Sequence, residues 1–401
     1  MRTLIRSNLD YLAGAALASF SGLSVLRSAL GIGQVAYVAP IGLVLGIVLL
    51  KVILDRTNRL RSYELWFVGA SVLLFGWLLM SVFWTASNTQ YAKDALLVLG
   101  LLGLTCLVPF IVDENVLKAA LATLVGIGGM VGVYVLNSYV VAGSLRGYSI
   151  AFGDFYLIVS KSIGTATVGI TVYTIFADER RWWQFLVIPF LFVALALSLS
   201  RGALLFALVV VVLALFYALF REPLNRSSIG AYLKSFGGRA AGVGAIVGGS
   251  AALIAAALAV ERTAVRLRRL ISGGGASVSE RLFLWRASWE RIGEAPILGY
   301  GLGSSGLLIA ADESTYPHNF LLQLWVDGGV GAVLLMLIIA SLPILAFLAS
   351  DEKAGAVRLS LLGIYLYLVL DFSKSYNVYT GRLLFIFCAL SISSFRKMEA
   401  T

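Results

Sequence analysis

The sequence predicts an all-α, polytopic membrane protein of about twelve transmembrane helices with one long polar segment on its outer side. Three observations predict it. The 401-residue chain is 60% hydrophobic and only 13% charged, with a mean hydropathy of +0.92, whereas soluble domains run near about 45–50% apolar and about 25% charged. Apolar runs of about 20 residues, each able to cross a hydrocarbon layer about 30 Å thick, recur from end to end. Residues 261–319 alone form a long stretch too polar for lipid.

The expected spans run Leu12–Ala29, Val35–Leu54, Leu65–Trp84, Ala95–Val112, Leu117–Val141 and Phe155–Ala177 in the first half. Gln184–Ser200, Ala203–Phe220, Ala240–Val260, Leu321–Leu348, Val357–Leu370 and Thr380–Phe395 follow. The first is rich in Ser and Gly and carries Arg27; Arg2 and Arg6 before it resemble a signal-peptide start, but so many further spans favour a retained helix. Three regions result: residues 1–260 with nine helices, 261–319 as an outer segment, and 320–401 with three more helices. Cys106 and Cys388 fall inside apolar runs and read as small core residues, not as a disulfide or metal pair.

Loop cations set the orientation. Arg56, Arg59, Arg61, Arg180, Arg181, Arg221, Arg226, Lys234, Arg239, Lys353, Arg358, Arg396 and Lys397 all share one side if both termini are cytoplasmic. The 261–319 segment then faces outward, into the periplasm of a Gram-negative cell. The net charge of +10 is spread between short loops and an arginine cluster, a layout suited to anionic head groups or phosphates at the membrane and not to nucleic acid.

Within the outer segment, Arg262, Arg266 and Arg269 recur at helical spacing and would aim one way. Gly273-Gly274-Gly275 ends that helix, and Ser277 with Glu280 forms an S-x-x-E start signal. The helix that follows, near 278–292, places Leu282, Trp285, Trp289 and Ile292 on one stripe, as expected of a helix lying on the membrane surface. Pro296 stops it, and a glycine-rich turn leads to Tyr316-Pro317-His318-Asn319-Phe320.

His318 is the chain's sole histidine, and an imidazole can take or give a proton near neutral pH. It reads either as an interfacial histidine with ordinary hydrogen bonds or as a base beside an arginine-rich site. Arg201, between two apolar runs, is either held at membrane depth for function or snorkelling to the head groups. Lys161, just inside span six, poses the same question, and Arg146 lies in the outer loop before that span. Asp371, at the outer end of span eleven, either serves the site or pairs with Lys374. Gly301-x-Gly303-x-x-Gly306 matches a dinucleotide fingerprint literally, yet no strand precedes it, so it reads as a turn. No D-x-D pair, no zinc constellation and no nucleophile elbow is present in the sequence. What remains is one candidate base with several permanent cations, which suit a diphosphate.

These residues resemble a family. Ser198-Leu199-Ser200-Arg201-Gly202-Ala203-Leu204 is one motif; Ser279-Glu280-Arg281 with Trp285, then Pro296-Ile297-Leu298-Gly299-Tyr300-Gly301, is the second. Pro317-His318-Asn319-x-x-Leu322-Gln323, then Asp327, Gly328, Gly329 and Gly331, is the third. In this order they resemble the O-antigen ligase and polymerase superfamily over roughly residues 190–345. The resemblance implies a GT-C-like, all-helical glycosyltransferase working without metal, nucleotide or other cofactor at the periplasmic face of the inner membrane. It implies an undecaprenyl-diphosphate-linked glycan as donor and a lipid A–core hydroxyl as acceptor, with inversion at the anomeric carbon. Carried over, His318 would deprotonate the acceptor, worth about 10²–10⁴ in rate. Arg201 and Arg281, helped by Arg266, Arg146 and Lys161, would hold the leaving diphosphate, with Asp371 as an orienting acid. A polymerase of the same superfamily uses the same chemistry on another acceptor. A lipid-linked glycan transporter remains as a third class, against which the lack of repeated halves counts.

Overall fold

The computed structural model describes residues 2–30, 35–54, 60–142, 156–177, 179, 181–198, 200–220, 276–310, 315–350 and 354–395. Among these the regular elements are all helical. In chain order they are α1 (Arg2–Leu30), α2 (Val35–Leu54), α3 (Ser62–Met80), α4 (Asn88–Ile111), α5 (Glu114–Ala142), α6 (Tyr156–Phe176) and α7 (Gln184–Leu197). There follow α8 (Arg201–Phe220), α9 (Ala276–Glu294), α10 (Ser305–Ala310), α11 (Phe320–Leu348), α12 (Ala356–Ser375) and α13 (Arg382–Ser394). Among the described residues, 7 helices are long and apolar enough to cross a membrane. They answer to the third, fourth, fifth, sixth, eighth, tenth and eleventh expected spans. Shorter apolar helices, Val44–Leu54, Gln184–Leu197 and Arg382–Ser394, lie within the second, seventh and twelfth. The first expected span forms as part of α1, while the ninth, with Arg262, Arg266 and Arg269, lies outside the described residues. The protein is a polytopic membrane protein.

In lipid, helices gain little from hiding apolar surface and associate through close packing and small residues instead. The centre of the bundle shows this. Helix α6 is the least apolar of the spanning helices and also the most thoroughly buried. A helix surrounded by other helices does not need lipid-soluble side chains, so it can carry Ser, Thr and Gly. Its hydroxyls bond back to the preceding turn: Thr165 to the Lys161 carbonyl at 2.9 Å, Thr167 to Ile163 at 2.7 Å, Thr174 to Ile170 at 2.8 Å. Glycine makes the crossings possible. A Cβ on Gly128 would stand 2.1 Å from the Ala166 methyl, and one on Gly164 2.0 Å from the Tyr367 hydroxyl of α12.

Helix α11 is broken two turns in. Gly329 has φ 69° and ψ −172°, and a Cβ there would stand 1.9 Å from the Ile297 carbonyl oxygen. The turn at 296–303 plugs into this break: the Val330 amide donates to the Pro296 carbonyl at 2.9 Å, and the Tyr300 and Gly301 amides donate to Val326 and Asp327 at 2.8 Å each. Gly299, Gly301 and Gly303 all take positive φ there, so the fingerprint-like run is a turn, as its lack of a preceding strand implied. The Asp327 carboxylate, wholly buried, accepts from the Ser305 amide at 2.8 Å and the Tyr379 hydroxyl at 2.6 Å. Outer segment, α11 and the turn before α13 are thereby held in one register.

Helix α9 forms where the S-x-x-E signal placed a helix, with its exposure divided differently from the expected stripe. Leu284, Ser288 and Ile292 are the buried face, packed with Ile309, Leu322 and Val326, and Trp285 leans on the same cluster. Leu282, Phe283 and Trp289 are exposed. The helix thus packs on protein with one face and leaves large apolar side chains beside it uncovered.

Candidate functional site

The site lies at the end of the bundle where α6 and α8 start and α12 stops. Arg201 is the first residue of α8. Its neighbour Gly202 has no side chain because another occupies the space: a Cβ would meet the Lys374 Nζ at 2.0 Å. Lys374 belongs to the last turn of α12, and both Arg201 and Arg281, from α9, lie within electrostatic reach of it. Lys161, one turn into α6, is buried, with its Nζ 4.2 Å from the centre of the Tyr376 ring and 5.3 Å from that of Phe372. Asp371 and Arg382 are its charged neighbours. Asp371, itself buried, therefore answers to two ammonium groups, Lys161 and Lys374, and not to Lys374 alone.

Tyrosines tie these elements together. The Tyr367 hydroxyl donates to the Ser160 carbonyl at 3.4 Å, and that of Tyr376 to the Leu157 carbonyl, so α12 and the connection after it grip the first turns of α6. Burial first, and the Asp371 charge second, hold the Tyr376 phenol well above its usual range, which keeps it a neutral donor.

His318 stands on a neighbouring turn with φ 55°, in the left-handed region. The Tyr316 ring packs on it with centroids 4.3 Å apart. The Trp285 indole donates to the Pro317 carbonyl at 2.9 Å. Asn319 then caps α11, accepting from the Leu321 and Leu322 amides at 3.0 and 3.1 Å. Tyr316 lies within electrostatic reach of Tyr376. Tyr316 thus lies between the imidazole, on which it packs, and Tyr376, whose ring faces the Lys161 ammonium.

Of the residues singled out in the sequence, the fold brings Arg201, Arg281, Lys161 and Asp371 to one end of the bundle, with His318 beside them. Arg146 and Arg266 lie outside the described residues. Sequence reasoning overlooked Arg382, Tyr376 and Tyr316, and took Lys374 only as a partner for Asp371. The available signal was the concentration of Asp371, Lys374, Tyr376 and Arg382 between the last turns of α12 and the start of α13.

Residues 185–337 match the family model described as O-antigen ligase. Over that stretch the chain resembles the O-antigen ligase family. A stretch of 74 residues is also 35% identical to a Rickettsia conorii protein provisionally named a polysaccharide ligase, over 15% of this chain and 18% of that one. The aligned part is therefore a small fraction of that relative. Arg201, Arg281 and His318 fall inside the O-antigen ligase match. Lys161, Asp371, Lys374 and Arg382 fall outside it and reach the same place only through the fold. The motif glycines at 299, 301 and 329 serve the plug between the 296–303 turn and α11.

Proposed function

We propose that the protein is a glycosyltransferase at the periplasmic face of the bacterial inner membrane, moving a glycan from undecaprenyl diphosphate to a hydroxyl of the lipid A–core oligosaccharide. The observation that carries this reading is the convergence of Arg201, Arg281, Lys374, Lys161 and Arg382 from five elements beside the His318 turn. Among the described residues these five cations outnumber Asp371, the carboxylate beside Lys161 and Lys374, and guanidinium groups can grip phosphate oxygens two at a time.

The reaction needs little else. The acceptor oxygen attacks the anomeric carbon from the face opposite the diphosphate, and the bond from that carbon to the phosphate oxygen breaks with inversion. The hydroxyl proton passes to the His318 imidazole. The electron pair departs with the polyprenyl diphosphate, whose charge is met by side chains already in place; such preorganised charge is usually the largest contribution to rate. The split between exposed Arg201 and buried Lys161 suggests a division of labour: the arginines meet phosphate oxygens directly, and the enclosed lysine adds field from behind the aromatic rings.

The test is glycan transfer by purified protein from a synthetic polyprenyl-diphosphate-linked oligosaccharide to lipid A–core. His318→Ala is expected to lower turnover by about 10²–10⁴, and undiminished transfer by that variant would sink the base assignment. A deletion strain separates the two acceptors. Polymer that persists on the carrier but is lost from lipid A marks a ligase, whereas single capped repeats mark a polymerase of the same superfamily.

A further inference from the structure

Helix α9 carries two of the features described above on one face. Arg281 and Trp285 are four residues apart, so their side chains emerge one above the other. Arg281 reaches toward Lys374 and the Arg201 end of α8. Trp285, one turn on, donates its indole N–H to the carbonyl of Pro317, the residue immediately before His318. The backbone of His318 is left-handed, a conformation that L residues other than glycine seldom adopt and that persists only where neighbours impose it. Among the described residues, three neighbours bear on it: the Asn319 cap beneath, the Tyr316 ring alongside, and the Trp285 indole on the preceding carbonyl.

We infer that Trp285 is a positioning residue: by holding the Pro317 carbonyl it sets the turn that aims the His318 imidazole, and α9 thereby couples the arginine that meets the diphosphate to the group that takes the acceptor proton. This rests on the transferase reading above. It also assigns α9 a use that its apolar exposed side does not explain. A donor seated against Arg281 steadies the helix, and the helix steadies the base, so the imidazole is fully aimed when a donor is present.

The experiment uses the full chain in detergent, with the synthetic donor and lipid A–core acceptor, and reads initial rates against donor concentration and pH. Trp285→Phe keeps an aromatic ring and loses the N–H. It is expected to lower kcat between about 5- and 100-fold, as small misplacements of a catalytic group do, with donor KM within about twofold. The limb of the pH profile governed by the imidazole shifts as well. Trp285→Gln, which restores a side-chain N–H, recovers part of the loss. Trp289→Phe, at a ring that meets Trp325 edge-on on the exposed side, leaves kcat and the pH profile as they were. A Trp285→Phe protein with wild-type kcat and pH profile overturns the inference, as does one changed only in donor KM, or a Trp285→Gln protein no better than Trp285→Phe. Should Trp285→Phe not fold, the split is read on Trp285→Gln, where wild-type kcat and pH profile support the role of the N–H and a change in donor KM alone overturns it. His318→Ala run alongside separates the two failures: full activity there removes the transferase base itself, while an inactive His318→Ala beside an unaffected Trp285→Phe overturns only the coupling.

Discussion

Gly202 shows how one absent side chain can organise charge. Its neighbour Arg201 was conspicuous in the sequence because a guanidinium between apolar runs is costly. The glycine was not, since nothing local says that a lysine 172 residues away needs its space. Glycine inside a helix ordinarily costs about 0.5–1 kcal/mol relative to alanine, so Gly202→Ala on its own helix should be neutral or mildly stabilising. The displaced atom is the tip of a flexible lysine, which can move. Gly202→Ala is therefore expected to fold with an unchanged or raised thermal midpoint and to raise donor KM by about tenfold, the equivalent of about 1.4 kcal/mol of lost binding. Measuring both on one preparation checks the assignment, because a fall in stability without a change in KM would place Lys374 outside the donor site.

At the scale of elements, the helices themselves were readable from runs of apolar residues, and α6, α9 and α11 all form where expected. Their relations were not. The α9 stripe was drawn through Leu282 and Trp289, which are exposed, because helical spacing marks an apolar side without saying whether protein or lipid covers it. The break in α11 was likewise hidden: the sequence shows glycines at 328, 329 and 331, and only the docking of the 296–303 turn explains why the chain departs from helix at Gly329. Gly329→Ala tests that junction. The positive-φ, extended-ψ backbone of Gly329 costs a residue with a Cβ about 1–3 kcal/mol, and here the Cβ also collides with the Ile297 carbonyl, which is backbone and cannot step aside. Loss of at least about 2 kcal/mol is expected, read as a lowered thermal midpoint and reduced yield of monodisperse protein. Gly331→Ala, whose Cβ would meet nothing within 4 Å, should behave as wild type.

For the whole molecule, Arg201, Arg281, His318, Lys374 and Arg382 share one end. The opposite end holds Lys51, enclosed between Asp10 and Asp113, an ion cluster that fastens α1, α2 and the α4–α5 junction. Burial of a lone lysine would be prohibitive, so its two carboxylates are what allow it there. A fusion experiment examines the orientation itself. Green fluorescent protein at the carboxyl terminus is expected to fluoresce, and alkaline phosphatase at the same place to be inactive, since both require that terminus to be cytoplasmic; the reverse pair of outcomes would put the His318 turn in the cytosol and remove the proposed substrate from reach.

Amino-acid order alone settled that this chain lives in the membrane as helices, and it marked Arg201, Arg281 and His318 through local motifs. Those conclusions rest on local quantities: apolar run length, charge flanking a span, and turn residues in succession. Tertiary structure alone decided that Lys374, Arg382, Lys161 and Tyr376 gather at the end of the bundle that holds the motif residues, that the glycine turns are joinery, and that Trp285 holds the Pro317 carbonyl beside His318. Each of those depends on which helix lies against which. In a bilayer that choice is made by glycine-sized gaps and single hydrogen bonds between distant residues, and such pairings leave no period in the sequence.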